Sequence, residues 1–174
     1  MRIIAGESRG RALKSVPKEM MVKPISARIK KSVFDILRPR LEGARVLDLY
    51  AGTGAVGIEA LSRGAGFAFF VDADKRCIAV IEQNIKILGF AAKARACYGD
   101  ILQDLSWVGY RAGHNDFDII YMGPPYRTED NKMLAYSTPT LARVAEANLL
   151  APGGIALLQR YKKEKVELPA GYEK

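Results

Sequence analysis

Asp48-Leu49-Tyr50-Ala51-Gly52-Thr53-Gly54-Ala55-Val56-Gly57 is the stretch from which the rest of the chain can be read. It sets a G-x-G-x-x-G spacing directly after an apolar run, Arg45 to Tyr50, and at the start of a helical pattern, Ala55 to Ser62, that Gly64 ends. Strand, glycine turn and helix in that order open a βαβ unit. The glycines allow a tight turn from Gly52 to Gly57 and close approach of a ligand, while the helix N-terminus offers unpaired N–H groups. Downstream, Phe67 to Val71 reads as a second strand, and Asp74 caps a helix running through Ile78, Ile81, Ile85 and Leu88 to Gly89. Lys93 to Tyr98 and Phe117 to Met122 follow as strands. A helix is expected from about Asn131 to Ala147, then a fifth strand from Ile155 to Gln159 after Gly153 and Gly154, and the opening of a hairpin over Tyr161 to Lys174. Upstream, Ile29, Val33, Phe34 and Leu37 recur at helical spacing over Ser26 to Leu37, with Pro39 closing the helix and Arg28, Lys30, Lys31 and Arg38 on its other face.

Short apolar runs alternating with longer helical patterns predict an α/β, Rossmann-like fold, a mostly parallel sheet with helices on both faces. A chain of 174 residues that is 49% hydrophobic closes one core. Residues 41–174 are expected to form that domain, and residues 1–40 a basic arm and helix rather than an independent unit. The chain carries no apolar run long enough for a membrane span and no signal-peptide pattern, so a cytoplasmic protein without membrane partners is expected, and a monomer. Cys77 and Cys97 lack partners at metal-ligand spacing, so no metal site is expected and both read as buried, inert thiols.

The net charge of +8 is unevenly placed. Residues 1–40 hold eleven Lys and Arg against Glu7, Glu19 and Asp35, an excess of eight that accounts for the whole-chain figure. A basic arm on a neutral domain suits a polyanion, because each phosphate contact releases condensed counterions. A solvated face serving solubility would have the same composition.

Asp72, twenty residues past Gly52 at the end of the second strand, is placed to accept both hydroxyls of a ribose. NAD and S-adenosylmethionine (SAM) both contain one. Asp48 helps to separate them, since a carboxylate at the tip of the first strand repels a pyrophosphate and attracts the ammonium and sulfonium of SAM; the competing reading is a carboxylate that caps backbone amides in the turn. Asp100, after the third strand, is placed to accept from an adenine amino group, and reads almost equally well as an ordinary turn aspartate.

Tyr121-Met122-Gly123-Pro124-Pro125-Tyr126 follows the fourth strand at the sheet edge where open α/β sheets bind ligands. Two prolines stiffen the loop and fix the direction of its carbonyls. The lone pair of an exocyclic base amine is delocalised into the ring, and acceptors holding its hydrogens localise that pair and aim it at a methyl donor. Tyr126 can stack on a flipped base, a contact worth about 1–3 kcal/mol.

Together these segments resemble the bacterial small-subunit ribosomal RNA guanine-N2 methyltransferases of the RsmD type. The resemblance covers Met1 to Lys14, Lys23 to Arg28, Val33 to Leu37, the Asp48 to Gly57 turn, Ile58 to Ala65 and Gly123 to Tyr126, nearly the whole chain. The opening fourteen residues and the Ile58 to Ala65 helix are its most specific parts. It implies a Rossmann-like class I SAM-dependent methyltransferase fold, SAM as cofactor, and methyl transfer to a guanine N2 in 16S rRNA, in the small ribosomal subunit or its precursor. By position, Asp48, Tyr50, Gly52, Gly54, Asp72 and Asp100 would bind the cofactor, and Gly123, Pro124, Pro125 and Tyr126 the target base. Arg2, Arg9, Arg11, Lys14, Lys23 and Arg28 would contact RNA.

Three positions depart from the family pattern. Gly123 stands where the family loop begins with Asp or Asn, whose oxygen accepts from the target amine; loss of such a transition-state contact typically costs about 2.7–4 kcal/mol. Ala27 stands where an acidic residue often precedes the arginine, and the sequence does not continue into the closing strand usual after Gly171-Tyr172. Two readings therefore compete: an active rRNA methyltransferase, and a catalytically weakened relative that still binds SAM and RNA. A DNA or protein substrate fits less well, for want of a DNA-recognition domain and because of the basic arm. An NAD-dependent oxidoreductase fits least. His114, the single histidine, has the surroundings of a loop rather than of a catalytic base, and Trp107 is expected to pack at a helix end.

Overall fold

Five strands pair in parallel in the order β3-β2-β1-β4-β5: β1 Arg45–Leu49, β2 Phe67–Asp72, β3 Ala94–Tyr98, β4 Phe117–Met122 and β5 Leu150–Leu158. They belong to a computed structural model that describes residues 1–17, 20, 25–128 and 130–174. Successive strand residues point to opposite faces, so both faces of the sheet are apolar and both are covered. Val46, Ala68, Phe70, Ile119 and Tyr121 face α1 (Ala27–Leu37), α2 (Ala55–Ser62) and α3 (Lys75–Leu88). Leu47, Leu49, Phe69, Val71, Ile120 and Met122 face α4 (Ser106–Ala112) and α5 (Ser137–Glu146). This is the Rossmann-like class I methyltransferase fold that the alternation and the resemblance led one to expect.

The helix ends follow their caps. Ser26 and Asp74 accept the N–H groups of Ile29 and Arg76, and Gly89 closes α3 in the left-handed conformation at φ +79°. α4 has no counterpart in the sequence reading because its middle residue is Gly109, which lowers helix propensity. A side chain there would lie 1.3 Å from the Asn115 amide oxygen, so glycine is required by packing. Trp107 packs in the first turn of α4, its ring 6.5 Å from that of Phe69.

Elsewhere the expected bounds shift. α5 begins at Ser137, not near Asn131, because a helix starting earlier would need the N–H that Pro139 lacks; from Ser137 that group falls in the first turn, where it has no partner anyway. Asn131 takes φ +62° in a loop where Thr128 N–H bonds the Lys132 carbonyl and Leu134 N–H the Tyr126 carbonyl. β5 begins at Leu150, with an irregularity that takes up Pro152, Gly153 and Gly154 before regular pairing resumes at Ile155. Residues 159–174 form turns instead of the hairpin expected there. Glu164 accepts the N–H of Ser137 at the start of α5, and Thr138 takes that of Glu167, so the tail's hydrogen bonds go to a helix end.

The basic arm is folded onto the domain. Arg2 and Ala12 form an antiparallel bridge, and Ile3 and Leu13 enter the core beside α2 and α3. Glu59 of α2, fully buried, accepts the N–H groups of Ile4 (2.9 Å) and Ala5 (3.0 Å). It also pairs with Lys30 at 2.8 Å and Arg63 at 2.9 Å. Lys30, expected on the polar face of α1, is thus inside the protein. Gly6 runs so close to α2 that a Cβ would sit 1.6 Å from the Ser62 carbonyl oxygen.

Candidate active site

In the order β3-β2-β1-β4-β5 the chain reverses direction across the sheet between β1 and β4, and the carboxyl ends of those two strands meet there. Such switch points are where open α/β sheets form their ligand crevice. Asp48 and Tyr121 are register partners on these strands, so the glycine turn and the proline loop leave the sheet side by side.

The turn's hydrogen bonding bears on its ligand. Ala51 N–H is taken by the Val71 carbonyl, Gly54 N–H by Ala51, and Gly52 N–H by the Asp72 carboxylate at 2.8 Å. Those three donors are therefore not free to cradle a pyrophosphate, which argues against NAD. Asp48 is 1% exposed and accepts Gly57 N–H at 2.9 Å. Burial, only partly offset by that bond, together with the nearby Asp72 pushes its carboxyl up to about 8. Asp72 is raised as well, chiefly by burial, despite accepting from Gly52 and from Asp74 N–H. Two raised carboxyls at this buried turn would be stabilised in their charged form by a cationic ligand such as the ammonium and sulfonium of SAM, and would oppose an anion.

The remaining predicted cofactor residues are placed unequally. Gly52 and Gly54 take φ +57° and +76°, which glycine adopts without strain. Tyr50 shares the left-handed region at φ +60°, and its phenol meets Thr140 at 2.7 Å; burial pushes it up to about 12. Its hydroxyl is thereby engaged with α5. Asp100 is exposed, one oxygen accepting the N–H of Leu102.

In the proline loop, Gly123 N–H reaches the Leu49 carbonyl at 3.3 Å, tying the loop to β1. Tyr126 is half-buried; its hydroxyl accepts from Gln159 Nε2 at 2.8 Å, and its ring centroid lies 6.4 Å from that of Tyr161. Gln159 Oε1 in turn accepts the Tyr121 hydroxyl hydrogen. Tyr121, Gln159 and Tyr161 were missed from sequence, since only strand pairing brings the end of β5 to the loop.

Arg2, Arg9 and Arg11 share one short hairpin, in which Arg2 bridges Ala12 and Ile3 N–H bonds the Arg11 carbonyl; Lys14 follows it and Arg28 stands on α1. Arg2, Arg9, Arg11, Lys14 and Arg28 are exposed. Arg2 donates to Gly10, Arg11 to the Ile87 carbonyl of α3, and Lys14 to Gln83. The arm's tip, held by Ser62 and by a Lys93–Glu7 pair, lies at the edge of the sheet opposite the proline loop. Lys23 is outside the described residues. Beside the loop lies a second basic run, Arg160, Lys162, Lys163 and Lys165, all exposed. Charge counting hid it because acids elsewhere in the domain cancel it.

His114 is remote from this site, its ring 5.0 Å from both Phe67 and Phe117, and burial lowers its basicity. Cys77 is buried, its thiol pushed up to about 12 by desolvation; Cys97 is half-buried, not buried as expected. Among the described residues no group of three or more His, Cys, Asp or Glu could hold a metal, and no helix is long and apolar enough to cross a membrane.

Comparison with known proteins points to rRNA methyltransferases. The family described as "Conserved hypothetical protein 95" matches residues 1–174. The Bacillus subtilis (strain 168) protein named "Putative rRNA methyltransferase YlbH" is 34% identical over 169 residues, 97% of this chain and 86% of that protein. "Ribosomal RNA small subunit methyltransferase D" of Escherichia coli (strain K12) is 37% identical over 129 residues, 73% of this chain and 61% of that protein. Among solved structures, the Escherichia coli "Putative methyltransferase yhhF" superimposes with a TM-score of 0.78 at 27% identity, covering 99% of this chain and 88% of that one.

Proposed function

Since the chain belongs to the RsmD-type family of rRNA methyltransferases, we propose that it transfers a methyl group from SAM to the exocyclic N2 of a guanine in small-subunit rRNA. The observation that carries the reading is the adjacency of Asp48 and Tyr121 at the β1/β4 switch point, which sets a cation-attracting turn against the Gly123-Pro124-Pro125-Tyr126 loop. When bound, SAM supplies an electrophilic methyl on a sulfonium. Asp48 attracts its ammonium end, Gly52 and Gly54 let it approach the backbone, Asp72 takes the ribose and Asp100 the adenine. Pro124 and Pro125 hold the loop carbonyls in fixed directions toward the target amine, and Tyr126 presents a face for the base to stack on. Arg2, Arg9, Arg11, Lys14, Lys23 and Arg28 contact the RNA, with residues 1–40 acting as its arm, and the particle is the small subunit or its precursor.

Gly123 favours a second reading, a relative that binds SAM and RNA with weakened turnover, because a glycine offers no side-chain acceptor to the amine. One experiment separates the two: labelled methyl transfer from SAM to unmodified small-subunit particles, naked 16S rRNA and duplex DNA, with digestion of the product RNA to nucleosides. N2-methylguanosine from particles or rRNA supports the enzyme. SAM binding without transfer favours the second reading, and methyl on another atom or on DNA overturns the proposed substrate.

A further inference from the structure

Position 123 has no side chain, yet the space beside it holds an oxygen. A Cβ built on Gly123 would lie 3.1 Å from Tyr121 Cε1 and 3.3 Å from the Tyr121 hydroxyl oxygen. The phenol oxygen therefore stands next to the space that a carboxylate or carboxamide at 123 would enter, and any side chain at 123 would crowd it. Its orientation is fixed. The Tyr121 hydroxyl donates its hydrogen to Gln159 Oε1, Gln159 Nε2 donates to the Tyr126 hydroxyl, and Gln159 N–H is anchored on the Met122 carbonyl at 2.8 Å. With its only hydrogen committed, the Tyr121 oxygen has lone pairs left to accept. It is also aligned with the cofactor side of the crevice, because Tyr121 is the register partner of Asp48.

We propose, resting on the rRNA methyltransferase reading above, that the Tyr121 hydroxyl, held by Gln159 and standing beside Gly123, is the acceptor for the target amine. Tyr121 then accepts a hydrogen bond from one N2–H, which stays on nitrogen, while the N2 lone pair forms the new carbon–nitrogen bond. The methyl carbon–sulfur bond breaks with its electron pair kept on sulfur, and the surplus proton on N2 leaves to water. Burial and the Asp48 carboxyl push the phenol above its usual range, so it acts as a neutral acceptor. Tyr126, at the other end of the Gln159 bridge, is thereby coupled to the same geometry: the stacking ring and the amine acceptor are set by one amide.

The test uses the full chain with unmodified small-subunit rRNA or particles. Tyr121→Phe keeps the ring and removes only the oxygen; kcat is expected to fall at least about ten-fold, with KM for SAM and RNA within about two-fold. SAM affinity by calorimetry and the melting temperature are read alongside. In the Tyr121→Phe background, Gly123→Asp is expected to restore turnover, since the added carboxylate no longer meets the hydroxyl. In the unaltered background the same substitution crowds Tyr121 and gains less. If Tyr121→Phe binds SAM normally and turns over within about two-fold of the parent, Tyr121 is only a packing residue and the proposal is overturned while the enzyme reading stands. If the parent and all three variants bind SAM but methylate no RNA, both fall together.

Discussion

Glu59 and Asp48 are carboxyl groups with almost no exposed surface, 0% and 1%, in two joints of the same domain. Burial pushes both upward. At Glu59, hydrogen bonds from Lys30, Ile4 N–H and Arg63 outweigh that penalty and hold the group below its usual range. At Asp48 the Gly57 N–H offsets only part of it, Asp72 adds to it, and the group rises to about 8; among the described residues no ion pair forms with it. A structural joint supplies its own countercharge, whereas a ligand crevice leaves the countercharge to come from outside. Ile4, Ala5 and α1 are thus locked to α2 by a closed ionic cluster, whereas Asp48 has no countercharge among the described residues.

The largest consequence falls on the closed joint. Glu59→Ala strands Lys30 inside the protein and is expected to lower unfolding free energy by about 3–5 kcal/mol in denaturant titrations. Replacing both partners, as Lys30→Met with Glu59→Leu, should recover much of that loss. A cost under about 1 kcal/mol for the single change would place Glu59 with ordinary surface pairs.

At the open joint the sign reverses. Asp48→Asn should weaken SAM binding by about 10- to 100-fold, the worth of a hydrogen bond to a charged group, yet leave the ligand-free protein more stable at pH 8, as read by thermal melting. A loss of stability would mean that Asp48 is structural, like Glu59.

The same contrast predicts a pH dependence. Below the ordinary value of 3.8, Asp48 is protonated in both the folded and unfolded chains. Between there and about 8 the unfolded chain ionises first, so this group costs the ligand-free fold progressively more stability as pH rises. A bound cation needs the ionised form, so SAM affinity should tighten from pH 6 to 8, with proton release seen by calorimetry in buffers of differing ionisation enthalpy. Asp48→Asn should abolish that rise.

The smallest effects belong to the exposed arm. Arg28→Ala should weaken RNA binding uniformly across sequences and reduce the log–log salt slope by about 1. An unchanged slope would assign Arg28 to solvent.

Much of the architecture was readable because it depends on local signals. Ser26, Asp74 and Gly89 mark helix ends by their own hydrogen bonding and backbone preference, and the strand-turn-helix around Gly52 is continuous in sequence. The two most specific segments of the family resemblance, residues 1–14 and Ile58 to Ala65, prove to be the two sides of one joint, which Glu59 and Ser62 stitch together. Misreadings arose where a residue answers to a distant partner. Lys30 has the spacing of a polar-face residue and is buried because Glu59 lies opposite it. Gly109 weakens a helix that Asn115 requires to be thin there.

Sequence alone determined the order of the five strands and of every α-helix but α4, the parallel α/β class, the glycine turn with Asp48 and Asp72, and the loop at Gly123 to Tyr126, because periodicity, caps and turn chemistry act within a few residues. Tertiary structure decided that the start of the basic arm is a docked hairpin, that Asp48 is a buried carboxyl held above its usual range, and that Tyr121, bonded to Gln159, stands beside Gly123. Burial, countercharge and register between β1, β4 and β5 are properties of packed neighbours far apart in the chain, and they exist only once the sheet has closed.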